Sequence, residues 1–229
     1  MNHSVIPLFS IPLFRANLGN LNPITKAWLL NLEFPPQRTG HDGTDEDLAL
    51  DQRGMHILDK PQLKELKIKI KNTIDYFVHQ ILSVDDHINF EIQTSWVNQV
   101  DDVNSVPKHG HINSMISGVY YIEADRESAP ILFEKSYLYT NLFHKTVLPT
   151  FKEKNQFNTD VISMRPVPGD IFLFPSHLEH SVPDGFGLNR FSLAFNCFAR
   201  GDFGLGTDNL KICNSLSLLY LLYLCITQY

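Results

Sequence analysis

Cysteine is scarce in this sequence. There are three, Cys197, Cys213 and Cys225, and none in the first 196 residues. An odd count crowded at one end is no disulfide framework, and it suits a reducing, cytoplasmic setting. Positive charge is also short. Nineteen Lys and Arg stand against 25 Asp and Glu, for a net charge of −6. A general nucleic-acid binder needs a positive surface against phosphate, so that class is excluded. No apolar run reaches the roughly 20 residues of a membrane-spanning helix. The run at 216–226 is only eleven residues long, so no membrane span is expected. The N-terminus lacks a basic stretch followed by a long apolar run, so no signal peptide is expected either. No repeat or low-complexity tract stands out, which argues against solenoids and disordered tails.

What is present is core material. Hydrophobic residues make up 43% of 229 residues and charged ones 19%. All-β sandwiches and barrels of this length form one domain. Residues 5–18 are apolar but broken by Pro7 and Pro12, which reads as a bent edge strand. Asn22-Pro23 signals a helix start, with a short helix over 24–32. A proline-, glycine- and acid-containing stretch at 33–54 reads as a long loop. Asp59-Lys60-Pro61 opens a second helix with Asp59 as its cap. Leu63, Leu66, Ile68, Ile70, Ile74, Phe77, Val78 and Ile81 give it a broad apolar face that ends near Leu82.

Beyond that helix the period changes. Residues 90–100, 117–123, 130–133, 161–165, 171–174 and 191–198 are short, apolar and rich in β-branched and aromatic side chains. Turn residues separate them, as in Pro168-Gly169-Asp170 and Pro183-Asp184-Gly185. Short strands in series predict a sandwich or barrel. The fold class is therefore mainly β with N-terminal helices. We read residues 1–209 as one domain with a helical N-terminal third, and 210–229 as an apolar C-terminal tail.

Two sites carry candidate chemistry. His109-Gly110-His111 precedes the strand at 117–123, and alternate residues of an extended segment share a face. His109 and His111 can therefore point to one side. Alone, the pair reads equally well as two exposed loop histidines. His180 follows a second strand, and Arg190-Phe191-Ser192 opens a third. In that third strand Arg190, Ser192, Ala194 and Asn196 share one face, and Phe191, Leu193 and Phe195 the other. An arginine on such a strand is costly to bury without an anion. A carboxylate accepts its bidentate fork, and Ser192 can add a hydrogen bond. The alternative is a salt bridge to Asp184 or Glu179.

Together these residues resemble the iron(II)- and 2-oxoglutarate-dependent oxygenases. The similarity is closer to a bacterial and viral branch with three blocks. These are a Trp-x-Asn strand (Trp96-Val97-Asn98), a His-x-His…Ser-Gly-Val-Tyr-Tyr block (His109 to Tyr121) and a Pro-Gly-Asp…His…Arg-x-Ser block (Pro168 to Ser192). The resemblance covers about Val5 to Phe203. It implies a double-stranded β-helix, or jelly roll, with Fe(2+) and 2-oxoglutarate as cofactors. It also implies that Arg190 and Ser192 hold the distal carboxylate of 2-oxoglutarate. Oxidation of the substrate, most simply a hydroxylation, would accompany conversion of 2-oxoglutarate to succinate and carbon dioxide.

The sequence departs from the wider family at one place. Most members have an acid two residues after the first histidine. Here the two frames are His109-Gly-His111 and His111-Ile-Asn113, and neither contains one. We favour a metal triad of His109, His111 and His180. The alternatives are a site with water or chloride in the carboxylate place, or a degenerate site. Such a triad should release iron as pH falls through about 6–7, where free histidine titrates. Two rivals follow: a three-histidine dioxygenase of cupin type that uses no 2-oxoglutarate, and a jelly-roll binding module without catalysis.

Asn98, Asn113, Ser114 and Tyr120 are candidates to line the pocket or orient a ligand, with strand packing and turn bonding as the alternative. Asp170 is expected to shape its turn. Tyr137, Tyr139, Phe143 and His144 lie in a long connection of the kind that covers sites. No cysteine pairs with histidine in a nucleophile pattern, which argues against a cysteine hydrolase. The expected partner is a small-molecule or peptide substrate, and a homodimer is an allowed assembly.

Overall fold

The computed structural model describes residues 4–6, 10–32, 55–100, 105–135, 150–184, 190–204 and 208–212. The loop expected at 33–54, the segment holding Tyr137, Tyr139, Phe143 and His144, and the tail beyond Ile212 lie outside the described residues.

Among the described residues, ten strands and two α-helices make the frame. The strands are β1 (Phe14–Asn17), β2 (Asn89–Val100), β3 (Val106–His109), β4 (Ile116–Glu123), β5 (Ile131–Glu134), β6 (Val161–Met164), β7 (Asp170–Pro175), β8 (His180–Val182), β9 (Arg190–Phe203) and β10 (Leu210–Ile212). The helices are α1 (Pro23–Leu30) and α2 (Lys64–Asp75), the latter continuing as a π-helical turn over Tyr76–Ile81. One sheet orders its strands β1-β7-β4-β9, with β2 and β10 also pairing with β9. The other is β3-β8-β5-β6. The pairs within both are antiparallel. From β2 to β9 the chain passes back and forth between the sheets in the order of a jelly roll. The larger sheet reads β2-β9-β4-β7 across its middle.

Alternation along the strands sorts two cores. Tyr120, Ile122, Ile171, Leu173, Leu193, Phe195 and Cys197 face outward from the larger sheet. They pack on Leu66, Ile70, Ile74, Phe77 and Val78 of the α2 segment. A fully buried isoleucine such as Ile70 contributes about 1.5–3 kcal/mol by leaving water. The opposite face carries Val119, Tyr121, Phe172 and Phe174, which meet Ile131 and Phe133 of the smaller sheet. Gly118 lies under the Phe195 ring, and a Cβ there would collide with it.

The helix starts differ from each other. Asn22 caps α1 as its side chain accepts the Thr25 N–H at 2.8 Å, with Pro23 in the first turn. Asp59 does not cap α2, contrary to the sequence expectation. Lys60 is extended and Pro61 opens a separate 3₁₀ turn, so α2 begins only at Lys64. Asp59 pairs with Lys67 instead.

Asp170 does more than shape its turn. It accepts the Val167 N–H at 3.0 Å, two bonds from the Arg15 guanidinium and one from Asn17. Its carboxylate is 4% exposed, whereas Arg15 is 41% exposed. The edge strand β1 is thus fastened to β7. Asp170→Ala strands several donors and should cost about 2–3 kcal/mol. Arg15→Ala loses a largely solvated charge and should cost about 1 kcal/mol. Urea unfolding checks this: equal costs for the two variants would contradict the unequal burial.

Candidate active site

The three predicted histidines converge. His109 closes β3, His180 opens β8, and the two are register partners. His111 follows after Gly110, and its backbone N–H donates to the Ser176 carbonyl at 2.8 Å. That bond ties the segment to the turn after β7. One ligand atom from each histidine lies within 4.8 Å of the others. Among the described residues no carboxylate joins them.

Tautomers are set by backbone. His109 Nδ1 lies 2.8 Å from the Pro107 carbonyl, and His180 Nδ1 2.9 Å from that of Leu178. A carbonyl only accepts, so each Nδ1 carries a proton, which leaves Nε2 as the nitrogen that a metal would take. The His180 ring also packs edge-on against Phe174, with centroids 4.9 Å apart. His111 meets Trp96 at 5.8 Å.

Burial, then the nearby His180 and His109, push the His111 pKa down to about 4. Burial, joined more weakly by His109, takes His180 to about 4 against the opposing hydrogen bond to Leu178. Both imidazoles are therefore neutral at pH 7, the form that binds metal. The window of 6–7 expected from free histidine does not apply to these two in the metal-free protein. The sign follows from linkage: between about 6.5 and 4 the unfolded chain takes up protons that the fold refuses, so stability falls as pH drops. NMR titration of the metal-free protein should place both midpoints near 4. Midpoints at or above 6.5 would contradict the buried, crowded cluster.

Arg190 opens β9 and is 2% exposed. It makes no ion pair with the acids considered from sequence: Glu179 faces Lys108 at 3.5 Å, and Asp184 is exposed. Its Nη2 donates to the Tyr121 hydroxyl at 3.0 Å, and Nη1 reaches Ser192 Oγ only at 3.5 Å. Its guanidinium carbon lies 4.9 Å from the Tyr121 ring centroid. Nε is buried with no hydrogen-bond partner among the described residues. Burial raises the Tyr121 pKa, against the pull of Arg190, so the phenol keeps its proton. A buried cation with an idle donor, beside two hydroxyls, fits a carboxylate.

The other sequence candidates divide. Asn98 is the β2 partner of Ser192. Asn113 is exposed, with φ of 54°, and shapes the reversal between β3 and β4. Ser114 bonds Ser176 at 2.7 Å and lies 3.2 Å from two carbonyls, tying the turn to the strand ends. Tyr120 is on the other face, buried against the helices, with its hydroxyl donating to the Gly19 carbonyl at 2.7 Å. Its neighbour Tyr121, not singled out from sequence, reaches Arg190 instead. Strict alternation from Ser117 through Val119 was the available signal. Trp96 entered only as part of the Trp-x-Asn block, and Ser176, with turn character alone, was not singled out. Cys197 is buried, which raises its thiol pKa and leaves it inert.

Residues 94–196 match the family model described as "Putative 2OG-Fe(II) oxygenase". No curated protein matches the chain. Among solved structures it is similar to a 2OG-Fe(II) oxygenase family oxidoreductase from Burkholderia pseudomallei, with 10% identity and a TM-score of 0.45. That alignment covers 63% of this chain and spans 60% of the other. A prolyl-4-hydroxylase from Pseudomonas putida aligns with 13% identity over 84% of this chain and 95% of that one, with a TM-score of 0.48. The viral collagen prolyl hydroxylase of Paramecium Bursaria Chlorella virus-1 aligns with 11% identity over 84% and 96%, with a TM-score of 0.43. The matched segment, which holds the three histidines, Arg190 and Ser192, is thus similar over its 103 residues to the iron(II)- and 2-oxoglutarate-dependent oxygenases.

Proposed function

We propose that this protein is an iron(II)- and 2-oxoglutarate-dependent dioxygenase, a hydroxylase of a small-molecule or peptide substrate. The observation that carries the reading is the idle Nε of buried Arg190, on the same jelly-roll interior as the three histidines. His109, His111 and His180 would hold the iron through neutral imidazole nitrogens. Arg190, Ser192 and Tyr121 would hold the distal carboxylate of 2-oxoglutarate. Bound iron supplies oxygen activation at open coordination positions. The chain supplies placement: backbone carbonyls fix two ligand tautomers, and Phe174 and Trp96 wall the cluster. The arginine fixes one end of the cosubstrate. Residues 1–209 form the oxygenase domain in this reading. A cytoplasmic location fits the cysteine usage, and among the described residues no helix is long and apolar enough to cross a membrane. Assembly as a homodimer is part of the reading to be tested by sedimentation.

One observation favours a rival. An all-histidine cluster suits a cupin-type dioxygenase that uses no 2-oxoglutarate. Anaerobic titration separates the two. Iron-loaded protein should gain a visible absorption band when 2-oxoglutarate is added and bind one equivalent. Iron binding without a response to 2-oxoglutarate would favour the rival, and binding of neither would leave a jelly-roll binding module.

A further inference from the structure

The strand that carries His109 is bulged. Val106 faces Val182 and His109 faces His180, with a register shift between the two pairs. Three steps along β3 therefore match two along β8, and Pro107 and Lys108 together stand opposite Ser181. A bulge bends its strand and re-aims the side chain that follows. Pro107 suits the place because it has no N–H to lose from the ladder. The extra residue keeps both Val106 and His109 on the inward face. Val106 packs with Val182, and His109 joins the histidine cluster. The Pro107 carbonyl, inside the bulge, lies 2.8 Å from His109 Nδ1.

β3 is a four-residue strand at the end of its sheet, so the ladder to β8 is a weak hold on this shape. A second hold lies on the outer face, directly behind the histidines. Lys108 Nζ is 3.6 Å from Glu134 Oε2 and 3.5 Å from Glu179 Oε2. Glu134 also accepts from Ser181 Oγ at 3.1 Å, and its backbone N–H donates to the Glu179 carbonyl at 2.9 Å. Each member adjoins the cluster in sequence. Lys108 precedes His109, Glu179 precedes His180, and Glu134 follows Phe133, the strand partner of His180. One cation thus ties β3 to β5 and to the turn into β8. Without it two neighbouring carboxylates are left to repel each other.

We propose that Lys108 is a positioning residue for the metal site. It pins the bulge in β3, and through the bulge it fixes the direction of His109 and the tautomer that the Pro107 carbonyl sets. This rests on the reading of the histidines as iron ligands.

The test uses the full-length protein, with anaerobic iron(II) titration and nitrogen NMR of the histidine rings. Loss of a ligand's own hydrogen-bond partner costs about 10–100-fold in metal affinity, and Lys108 acts one contact further out, so Lys108→Met should weaken iron binding about fivefold. Lys108→Arg keeps the charge between the two carboxylates and should recover most of that loss. Glu134→Gln together with Glu179→Gln should match Lys108→Met, and the three changes combined should cost no more than either set, because they break one network. Lys71→Met removes an exposed pair with Asp75 on α2 and should leave iron affinity unchanged. In the metal-free protein at pH about 8.5, where imidazole is neutral, His109 should carry its proton on Nδ1. Lys108→Met should spread that proton over both ring nitrogens while His180 stays as it is. Unchanged iron affinity in Lys108→Met, an equal loss in Lys71→Met, no recovery in Lys108→Arg, or an unaltered His109 tautomer would overturn the proposal. If the unmodified protein binds no iron, the functional reading fails, and the tautomer alone decides whether Lys108 aims His109.

Discussion

Arg190→Ala should weaken 2-oxoglutarate binding by more than a hundredfold while iron stays bound. The magnitude follows from burial. Arg190 is 2% exposed, and its Nε has no partner among the described residues. A carboxylate placed there loses its water, so removing the cation strands it. Breaking such a buried charged pair costs roughly 3–5 kcal/mol, and each 1.4 kcal/mol is about tenfold. Arg190→Lys should recover only part of the loss, because an ammonium cannot form the planar fork. Tyr121→Phe should show a smaller effect in the same direction, about fivefold, since one neutral donor is worth about 1 kcal/mol. Isothermal titration with iron-loaded protein gives all three. Unchanged 2-oxoglutarate affinity in Arg190→Ala would remove the anion pocket from the account.

His180→Ala should abolish stoichiometric iron binding, and His109→Ala and His111→Ala should each lower affinity by more than a hundredfold. Loss of an outer hydrogen-bond partner of a metal ligand already costs 10–100-fold, so loss of a ligand should exceed that. The decisive feature is that both members of the His109-Gly-His111 pair matter. If only one does, the site has two protein ligands and an open third place. An acid two residues after the surviving histidine, by His111→Asp or Asn113→Asp, should then strengthen binding. His111→Asp applies if His109 is the surviving ligand, and Asn113→Asp if His111 is. Full iron stoichiometry in His180→Ala would mean that the cluster is not the metal site.

The strands were legible where alternation was long. Residues 117–123 and 171–174 lie within β4 and β7, and residues 191–198 within the longer β9. β3 was not legible because Val106-Pro-Lys-His109 has four residues, a proline and no apolar period. β8 has three residues, too few for a pattern; its pairing comes from the sheet it joins. The cap at Asp59 failed because Lys60 and Pro61 insert a separate turn. Residue types, spacing and the family resemblance together singled out His109, His111, His180, Arg190 and Ser192 as candidates, and the fold brings the three histidines to one place. Tyr121 was missed in favour of Tyr120 because both belong to an apolar run in which neither face is polar. Alternation from Ser117 through Val119, together with the register that sets Tyr121 opposite Ser192, separates them. The low pKa values of His111 and His180 arise from burial and mutual proximity across distant segments, which no local pattern carries.

The central claim is that iron and 2-oxoglutarate act together in this pocket. Succinate formation tests it most directly. Purified protein with Fe(II), 2-oxoglutarate, dioxygen and ascorbate, which reduces the second oxygen atom to water when no substrate takes it, should convert 2-oxoglutarate to succinate and carbon dioxide in equal amounts. The rate should fall to background in His180→Ala and Arg190→Ala. Iron-loaded protein that consumes no 2-oxoglutarate, or that consumes it equally well in both variants, would contradict the account.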